Sequence, residues 1–495
     1  MLFNSAIFIA IFLPITLLGF FILANQGLTF ASITWLLLTS LFFYGYWKPA
    51  YLILLLVSVL TNYCFGSAIS NSKQGSKQAK LLLLCGITIN LALIGYYKYA
   101  GFLLKSVNSI FNIDLPIPQI ILPLAISFYT FTQIAYLVDT YRQEAEKYDF
   151  LKYGLFVTFF PQLIAGPILR HNELIPELNK ISTFKFSHKN MAMGLTLFIL
   201  GLSKKMLIAD TLSPWVAEVF NNANQVSFIE VWVGALCYTF QLYFDFSGYS
   251  DMAVGLGWMF NIHLPINFNS PYKSQSISDF WRRWHITLSN FLRDYLYIPL
   301  GGNRKGKIRR HINLVITMLL GGLWHGAGWT FVVWGGLHGI YLVINHQWRQ
   351  LNLKFHPILS WLITFLAVIF SWVLFRATNF EDAVALLRTM VGINGMILPG
   401  KLEGILSWLM PFGVKFEGQG ILSALPHLPG DNPTSLGINL MFIIVTFVVV
   451  ISCPNTMEWM DKFTPTKKWA LAISVLGVSC LISLNKVSEF LYFQF

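Results

Sequence analysis

The sequence predicts an all-α, polytopic integral membrane protein, and three observations support this fold class. Of the 495 residues, 55% are apolar and only 11% are charged, and the mean hydropathy is +0.60. Soluble domains carry roughly 25% charged residues. Apolar segments of about 20 residues, the length that crosses a bilayer, recur along the whole chain. We therefore expect one membrane domain, residues 1–495, instead of several soluble domains.

Fourteen apolar segments are present, and we expect about eleven to thirteen of them to be membrane elements. In the first part of the chain they lie near residues 5–24, 29–47, 51–70, 80–98, 116–140, 151–169, 190–210, 228–246 and 248–265. The remaining segments lie near residues 311–328, 330–347, 357–376, 436–453 and 468–486. Segment 151–169 contains "FFPQLIAGPI", whose prolines and glycine predict a broken or re-entrant element. Such backbone is tolerated at depth only where protein or a cavity satisfies it.

Basic residues predict the orientation of the chain. Residues 70–80 are basic, and the interval 273–310 carries nine Lys or Arg against two Asp. Both are expected in the cytoplasm, because cytoplasmic loops collect Lys and Arg. This distribution also accounts for the net charge of +12 without a nucleic-acid partner. Residues 397–435 have nearly balanced charge and many Pro and Gly, so we expect an extracytoplasmic loop or insertion there.

The interval before the longest uncharged run predicts an amphipathic helix. In "SISDFWRRWHITLSNFLRDYLYIPLGG" (276–302), apolar residues recur at steps of three and four, which places them on one helical face. Ser278 or Asp279 is expected to cap this helix, and Asp279 is spaced to pair with Arg283. His285 lies at the edge of the stripe. It either lines the mouth of a cavity or is structural, and the spacing alone leaves both open.

His325 lies in an uncharged, largely apolar part of the sequence, where a titratable ring needs an explanation. The run from His311 to Trp348 contains no Asp, Glu, Lys or Arg and includes "GGLWHGAGWTFVVWGGLHG". A helix rising from Arg310 would place His325 roughly 22 Å along its axis, near or past the middle of a core of about 30 Å. Ionisable residues at that depth are functional by default. For His338, on a largely different face, we expect a structural role.

Two further acids lie in an apolar segment, "QLYFDFSGYSDMAVG" (241–255). Asp245 and Asp251 are expected to orient a histidine or to accept hydrogen bonds from backbone and hydroxyl groups. Alternatively, they satisfy N–H groups freed at a helix break. These interpretations remain open.

The motifs of common catalytic machinery are missing from the sequence. It has no GxxxxGK[ST], HExxH or GxSxG,, and its five cysteines form no CxxC pair,. We therefore expect no metal site and no tightly bound cofactor. An uncharged imidazole in an apolar site can act as a base that takes a proton from a hydroxyl. A thioester would supply the activated acyl group.

Several segments together resemble the membrane-bound O-acyltransferase (MBOAT) family, and within it the bacterial alginate O-acetyltransferase branch. They are "FWRRWHITLSNFLRDYLYIPLGGNRKG", "GGLWHGAGWTFVVWGGLHG", "FFPQLIAGPI", "FDFSGYSDMAVG" and the final "LYFQF". The resemblance covers nearly the whole chain. It implies a ring of tilted helices around a thin centre, with one funnel for the acyl donor and an opposite funnel for the acceptor.

The resemblance also implies roles for individual residues. The WHG histidine, tied to acyl transfer in this family, is His325, and the RWH histidine is His285. We assign both to catalysis. Residues near these motifs are assigned to substrate binding: Trp284, Trp324, Asp245, Asp251 and Asn290.

The implied reaction moves an acetyl group from acetyl-CoA or an acyl carrier protein toward an exported, alginate-like polysaccharide. The implied location is the bacterial inner membrane, and the implied partner is an SGNH-type acetyltransferase, periplasmic or membrane-anchored. Peptidoglycan, cellulose or teichoic acid (with D-alanine) are alternative acceptors. A transporter or channel, or a structural subunit of an export complex, is the alternative from another class.

Overall fold

The chain is described from a computed structural model, which defines residues 1–164, 166–353, 355–393, 395–398, 400, 403–416, 435–485 and 491. Within these residues nearly all regular structure is helical. The exception is a pair of short parallel strands, β1 (Met396–Leu398) and β2 (Val414–Phe416). These strands fall partly in the predicted outer loop 397–435, of which residues 417–434 lie outside the described residues.

The described residues form 22 α-helices, which divide in chain order into a first and a second group of eleven. The first group comprises α1 (Leu13–Asn25), α2 (Thr29–Gly45), α3 (Pro49–Ser70), α4 (Lys77–Ile94), α5 (Ala100–Phe111), α6 (Ile126–Tyr141), α7 (Phe150–Thr158), α8 (Phe160–Leu163), α9 (His171–Leu174), α10 (His188–Ser203) and α11 (Asp210–Asn221). The second group comprises α12 (Phe228–Met259), α13 (Ile277–Arg283), α14 (Ile286–Leu292), α15 (Gly306–His325), α16 (Trp329–Gln350), α17 (Pro357–Arg376), α18 (Phe380–Met390), α19 (Glu403–Leu406), α20 (Ser435–Ser452), α21 (Thr456–Met460) and α22 (Lys467–Ile482).

Wider π-helical turns join several of these helices into longer ones. They precede α1 at Phe8–Phe12, connect α4 to α5 at Gly95–Tyr99, connect α10 to α11 at Lys204–Ala209, and follow α14 at Arg293–Tyr297. Of the described helical stretches, five are long and apolar enough to cross a membrane: Phe8–Asn25, Pro49–Ser70, Lys77–Phe111, His188–Asn221 and Pro357–Arg376. The predicted all-α, polytopic membrane architecture is confirmed.

The broken element predicted within 151–169 is present. Helix α7 ends at Thr158, and the four-residue α8 follows with Pro161 in its first turn. The interruption is buried in protein, where Ser40 accepts a hydrogen bond from the backbone N–H of Phe160 at 3.2 Å, and Gln162 donates to the Phe156 carbonyl. This is the condition under which irregular backbone survives at membrane depth.

The prediction of two spans at 228–246 and 248–265 is wrong, because α12 runs unbroken through both. Gly248 and Gly255 are interior positions of this helix and lie against the backbone of α10. A Cβ on Gly248 would stand 2.7 Å from the carbonyl oxygen of Gly201, and one on Gly255 2.6 Å from that of Gly194. These glycines are therefore a packing surface for close helix approach, and they do not break the helix.

The single amphipathic helix predicted over 276–302 is also wrong. The chain forms α13, breaks at Trp284 and His285, and continues as α14. The break occurs at His285, whose φ of +44° lies in the left-handed region, which is costly for a residue with a Cβ. Ser276, not Ser278 or Asp279, caps α13. The predicted Asp279–Arg283 ion pair is present at 3.0 Å.

Helices α15 and α16 form a tightly packed antiparallel pair around the uncharged run. A Cβ on Gly322 or Gly335 would overlap the backbone of the facing helix. These glycines therefore allow the two helices to approach closely. The pair is joined by the short extended turn at Gly326–Gly328, so the end of α15 has a fixed position.

Candidate active site

His325 is the last residue of α15, and its side chain is only 6% exposed. The ring centroids of Trp324, Trp334 and Phe375 lie 4.9, 5.2 and 5.2 Å from that of His325. The imidazole is thus packed in an aromatic cage at the end of a helix that begins in the predicted cytoplasmic interval. Nineteen residues of helix separate Gly306 from His325, roughly 28 Å of rise.

His285 reaches the same place from the break between α13 and α14. Its side chain is fully buried, and its Nδ1 lies 3.1 Å from Oδ1 of Asn267. The backbone N–H of Thr287 also donates to that Oδ1 at 3.2 Å, which identifies the atom as an acceptor. Nδ1 of His285 is therefore the donor, and in the uncharged ring Nε2 carries the lone pair.

The two predicted catalytic histidines are neighbours in space. Their ring centroids are 6.3 Å apart and the rings are inclined by 62°. Nε2 of His285, Nδ1 of His325 and Nε1 of Trp324 are buried and have no hydrogen-bond partner among the described residues. Buried polar atoms without a partner are rare and call for an explanation. Three of them around one point suit a site that a polar substrate enters.

A cavity opens on each side of this point. The first, termed the outer cavity, has a volume of about 360 Å³ and is lined by Trp47, Lys98, residues 121–128, Ile164, Trp324 and His325. The second, termed the inner cavity, has a volume of about 270 Å³ and is lined by Ile168, Arg170, Asn172, Glu173, Pro265, Ile266, Ile286, Thr287, Asn290 and Arg293. The inner cavity includes residues of the interval predicted to be cytoplasmic, whereas the outer cavity borders the opposite ends of α2 and α6.

Only a narrow space separates the two cavities. A void of about 10 Å³ shares Phe128 with the outer cavity and Ile168 with the inner cavity. An aromatic stack stands beside it, with the rings of Phe131 and Phe291 at 4.3 Å and those of Phe131 and Trp324 at 5.4 Å. The structure thus has a thin centre between two openings. His325 lines the outer cavity, and His285 directly precedes Ile286 and Thr287, which line the inner cavity.

The inner cavity carries the stronger charges. Arg170 and Arg293 both contact Asp294, with N–O distances of 2.5 and 2.6 Å. Burial opposes the charge on this carboxylate, but hydrogen bonds from Arg293 and Arg170 outweigh burial and lower the pKa of Asp294. Glu173 lines the same cavity, so two guanidinium groups stand against two carboxylates, and the inner opening offers arginine donors without a net positive charge,.

Three of the predicted substrate-binding residues, Trp324, Asn290 and Trp284, do not share one site. Trp324 lines the outer cavity, and Asn290 lines the inner cavity. Trp284 lines neither one, since it is buried with its ring 4.9 Å from that of Trp372. Its contacts are those of a packing residue.

Asp245 and Asp251 form buried ion pairs. Lys205 contacts Asp245 at 2.6 Å and Asp210 at 2.8 Å, while Lys204 contacts Asp251 at 2.6 Å. Asp251 also accepts a hydrogen bond from the Thr456 hydroxyl at 2.7 Å, and Asp245 accepts one from the backbone N–H of Leu491 at 3.4 Å. The prediction that these acids accept hydrogen bonds from hydroxyl and backbone groups is therefore confirmed, whereas the predicted helix break is wrong, because α12 is continuous here. No described contact places either acid at the histidines, so their assignment to substrate binding has no support in the geometry.

His338 has the structural role expected for it. The ring is fully buried, Nδ1 accepts from Trp281 Nε1 at 3.2 Å, and Nε2 donates to Ser371 Oγ at 2.9 Å. Both ring nitrogens are used, unlike those of His325.

Sequence reasoning missed Lys98, Tyr99, Asn267 and Arg170. Lys98 and Tyr99 contact the end of α15, and Asn267 orients His285. The one available signal was "YYKYA", a lysine inside an apolar segment predicted to span. No local pattern marks Asn267, which acts through a contact made only in the folded chain.

Comparison with known proteins agrees with this geometry. The model of the membrane-bound O-acyltransferase family matches residues 17–381, which is most of the chain and includes both histidines. The chain belongs to the membrane-bound O-acyltransferase family. As a member of this family it is an O-acyltransferase and a multi-pass membrane protein.

Two relatives of this MBOAT protein are similar over essentially their full length, and a third over part of it. It is 42% identical to the peptidoglycan O-acetyltransferase of Helicobacter pylori, covering 100% of this chain and 98% of the relative. It is also 42% identical to the probable alginate O-acetylase of Pseudomonas aeruginosa, with 100% of each covered. The teichoic acid D-alanyltransferase of Streptococcus thermophilus is 28% identical over 46% of this chain and 57% of its own length. The predicted family and enzyme class are therefore confirmed.

Proposed function

We propose that this MBOAT protein transfers an acetyl group from a cytoplasmic thioester to a hydroxyl presented from the outer side of the bacterial inner membrane. The acetyl group then modifies an exported glycan. The observation that carries the proposal is the position of His285 and His325 where the inner and outer cavities approach each other. A base at such a point reaches substrates from both sides without either crossing the membrane.

The proposed chemistry needs only the imidazole and the thioester. Nδ1 or Nε2 of His325 accepts the proton of the acceptor hydroxyl as its oxygen attacks the thioester carbonyl. A C–O bond forms, the C–S bond breaks, and the proton passes from the imidazole to the departing thiolate. His285, oriented by Asn267, presents the lone pair of Nε2 toward the same region and assists the proton transfer.

The inner cavity supports a donor that carries phosphate. Acetyl-CoA and the acylated form of an acyl carrier protein share a phosphorylated pantetheine arm. Arg170 and Arg293 offer planar donors suited to phosphate, with Asn290 as a neutral donor along the same wall. The basic residues Arg304, Lys305, Arg309 and Arg310 follow Arg293 in the chain and would favour either an acidic carrier or CoA,.

Two acceptors are favoured by the relatives. One named as a peptidoglycan O-acetyltransferase and one named as a probable alginate O-acetylase each match the full chain at 42% identity. We therefore retain an exported alginate-like polysaccharide as the acceptor, with peptidoglycan as the second candidate. An SGNH-type acetyltransferase at the outer face would pass the acetyl group to the sugar.

The test is turnover of a labelled acetyl thioester by purified protein in the presence of a soluble hydroxyl acceptor. His325→Gln should abolish acceptor-dependent thiol release, whereas His311→Gln, at the other end of α15, should not. Binding of the donor without cleavage would favour a transporter. Full acetylation by His325→Gln would favour a structural subunit. Glycan analysis of a deletion strain, measuring acetate on exported polysaccharide and on peptidoglycan, distinguishes the two acceptors.

A further inference from the structure

The end of α15 poses a problem that the proposed function leaves unsolved. The last carbonyl groups of a helix have no partner within it, and at membrane depth water does not supply one. Here those carbonyls belong to Leu323, Trp324 and His325, the residues that set the direction of the His325 side chain. Whatever binds them holds the candidate base in place.

Two consecutive residues of another helix bind all three carbonyls. Tyr99 donates its hydroxyl to Leu323 O at 2.8 Å. Lys98 donates Nζ to Trp324 O at 2.5 Å and to His325 O at 3.2 Å. A third acceptor, the hydroxyl of Ser127, lies 3.3 Å from the same Nζ. Three acceptors around one nitrogen match the three donors of an ammonium group.

The local backbone explains how neighbouring side chains reach one target. In an α-helix consecutive side chains diverge by about 100° around the axis. Lys98 and Tyr99 lie instead in the π-helical turn Gly95–Tyr99 that joins α4 to α5. Such turns cost regular hydrogen bonding and occur frequently at functional sites. Here the turn directs both side chains to the end of α15.

A purely structural contact at the end of α15 would not need the positive charge of Lys98. Lys98 is the one Lys, Arg, Asp or Glu among the described residues lining the outer cavity, which it shares with His325. None of the ion pairs formed by the described residues includes it. Its negative counterpart is the carbonyl end of α15, where a cation is stabilised by the helix dipole. Intramembrane cations are otherwise expensive.

We infer that Lys98 is a positioning residue for acyl transfer, which holds the last turn of α15, and thereby the His325 imidazole, in its reactive direction. Tyr99 assists it through one neutral hydrogen bond. The inference rests on the proposed role of His325. It assigns no contact between Lys98 and the substrates, so donor binding should be independent of it.

The test compares Lys98→Met, Lys98→Arg and the control Lys105→Met, an exposed lysine on the following helix. Lys98→Met should lower kcat by about 10- to 100-fold, the loss typical for partners that orient a functional histidine. The KM for acetyl thioester should stay within about twofold of the wild type. Lys98→Arg, which keeps charge and donors, should recover most of kcat. Lys105→Met should change neither constant.

Amide hydrogen exchange reports whether the last turn of α15 is still held in place. Exchange in Lys98→Met should accelerate at residues 322–328 and stay unchanged in α12. Wild-type kcat in Lys98→Met would overturn the inference, as would a loss of kcat accompanied by faster exchange throughout a protein that still accumulates. If Lys98→Met fails to accumulate, Tyr99→Phe decides, because a local loss of kcat supports the inference and an unchanged kcat contradicts it. Activity retained in His325→Gln would instead refute the proposed function.

Discussion

His285 and His325 stand forty residues apart in the chain, yet their ring centroids are 6.3 Å apart. The first sits at a break between two short helices and the second at the end of a long one. Each has a buried ring nitrogen without a partner among the described residues. The proposed function rests on the proximity of these two histidines between the inner and outer cavities.

Asn267 should matter through His285. Replacing it with Ala removes the acceptor that fixes Nδ1 of His285, so both the ring direction and the position of its proton become free. We expect acyl transfer to fall at least about tenfold, measured as kcat with acetyl thioester. Asn267→Asp keeps an acceptor and should retain more activity. A fully active Asn267→Ala would remove His285 from the mechanism.

The arginines of the inner cavity should act on donor binding. We expect Arg293→Gln to raise the KM for acetyl-CoA, because one charged contact with phosphate is lost. The KM should also depend less on salt, because that contact is no longer there for ions to screen. The maximal rate should change little. Titration of initial rates against acetyl-CoA at two ionic strengths measures both effects.

A different outcome is expected for the basic residues beyond that cavity. Reversing the charges of Arg304, Lys305, Arg309 and Arg310 should slow donor association through the long-range field, again with strong salt dependence. If donor affinity and its salt dependence were unchanged, these four residues would have no part in donor capture.

The buried ion pairs of α12 should contribute stability, not catalysis. Lys205→Met leaves Asp245 and Asp210 without their shared cation, a loss of about 3–5 kcal/mol for a broken buried pair. Thermal unfolding in detergent measures it, and Lys152→Met, which breaks an exposed pair with Asp149, should cost about 1 kcal/mol or less. A stable Lys205→Met protein with an altered KM would instead support a role for Asp245 in substrate binding.

An added methyl group at the contact between α15 and α16 should disturb their close packing. Gly335→Ala places a Cβ against the backbone of Met318, and overpacking of this kind costs about 1–3 kcal/mol. We expect a lower unfolding temperature and reduced activity, because the displaced helix carries His325. Gly101→Ala, where a Cβ meets only ordinary contact, should be neutral or slightly stabilising. Equal behaviour of the two variants would argue against this packing.

Features set by local composition could be predicted from the sequence. The broken element around Pro161 follows from its proline and glycine content, and the helix that carries His325 follows from the uncharged run after Arg310. The Asp279–Arg283 pair follows from helical spacing. Each of these depends on neighbours in the chain, so no tertiary contact had to be known.

Features set by distant contacts could not be predicted. The continuity of α12 through Gly248 depends on the facing Gly201, and Asp245 and Asp251 find their lysines on another helix. The left-handed conformation of His285 is maintained by packing that overrides the amphipathic pattern. For the same reason, nothing in the sequence around Lys98 indicates that it binds the far end of α15.

Transfer between the two faces of a membrane tests the central claim most directly. Protein reconstituted into sealed vesicles, with labelled acetyl thioester on the face of the inner cavity and a membrane-impermeant hydroxyl acceptor on the other, should yield acetylated acceptor. His325→Gln should reduce this yield by at least about 100-fold, and His311→Gln should not. Product formed only when donor and acceptor share one face, or undiminished product from His325→Gln, would contradict the account.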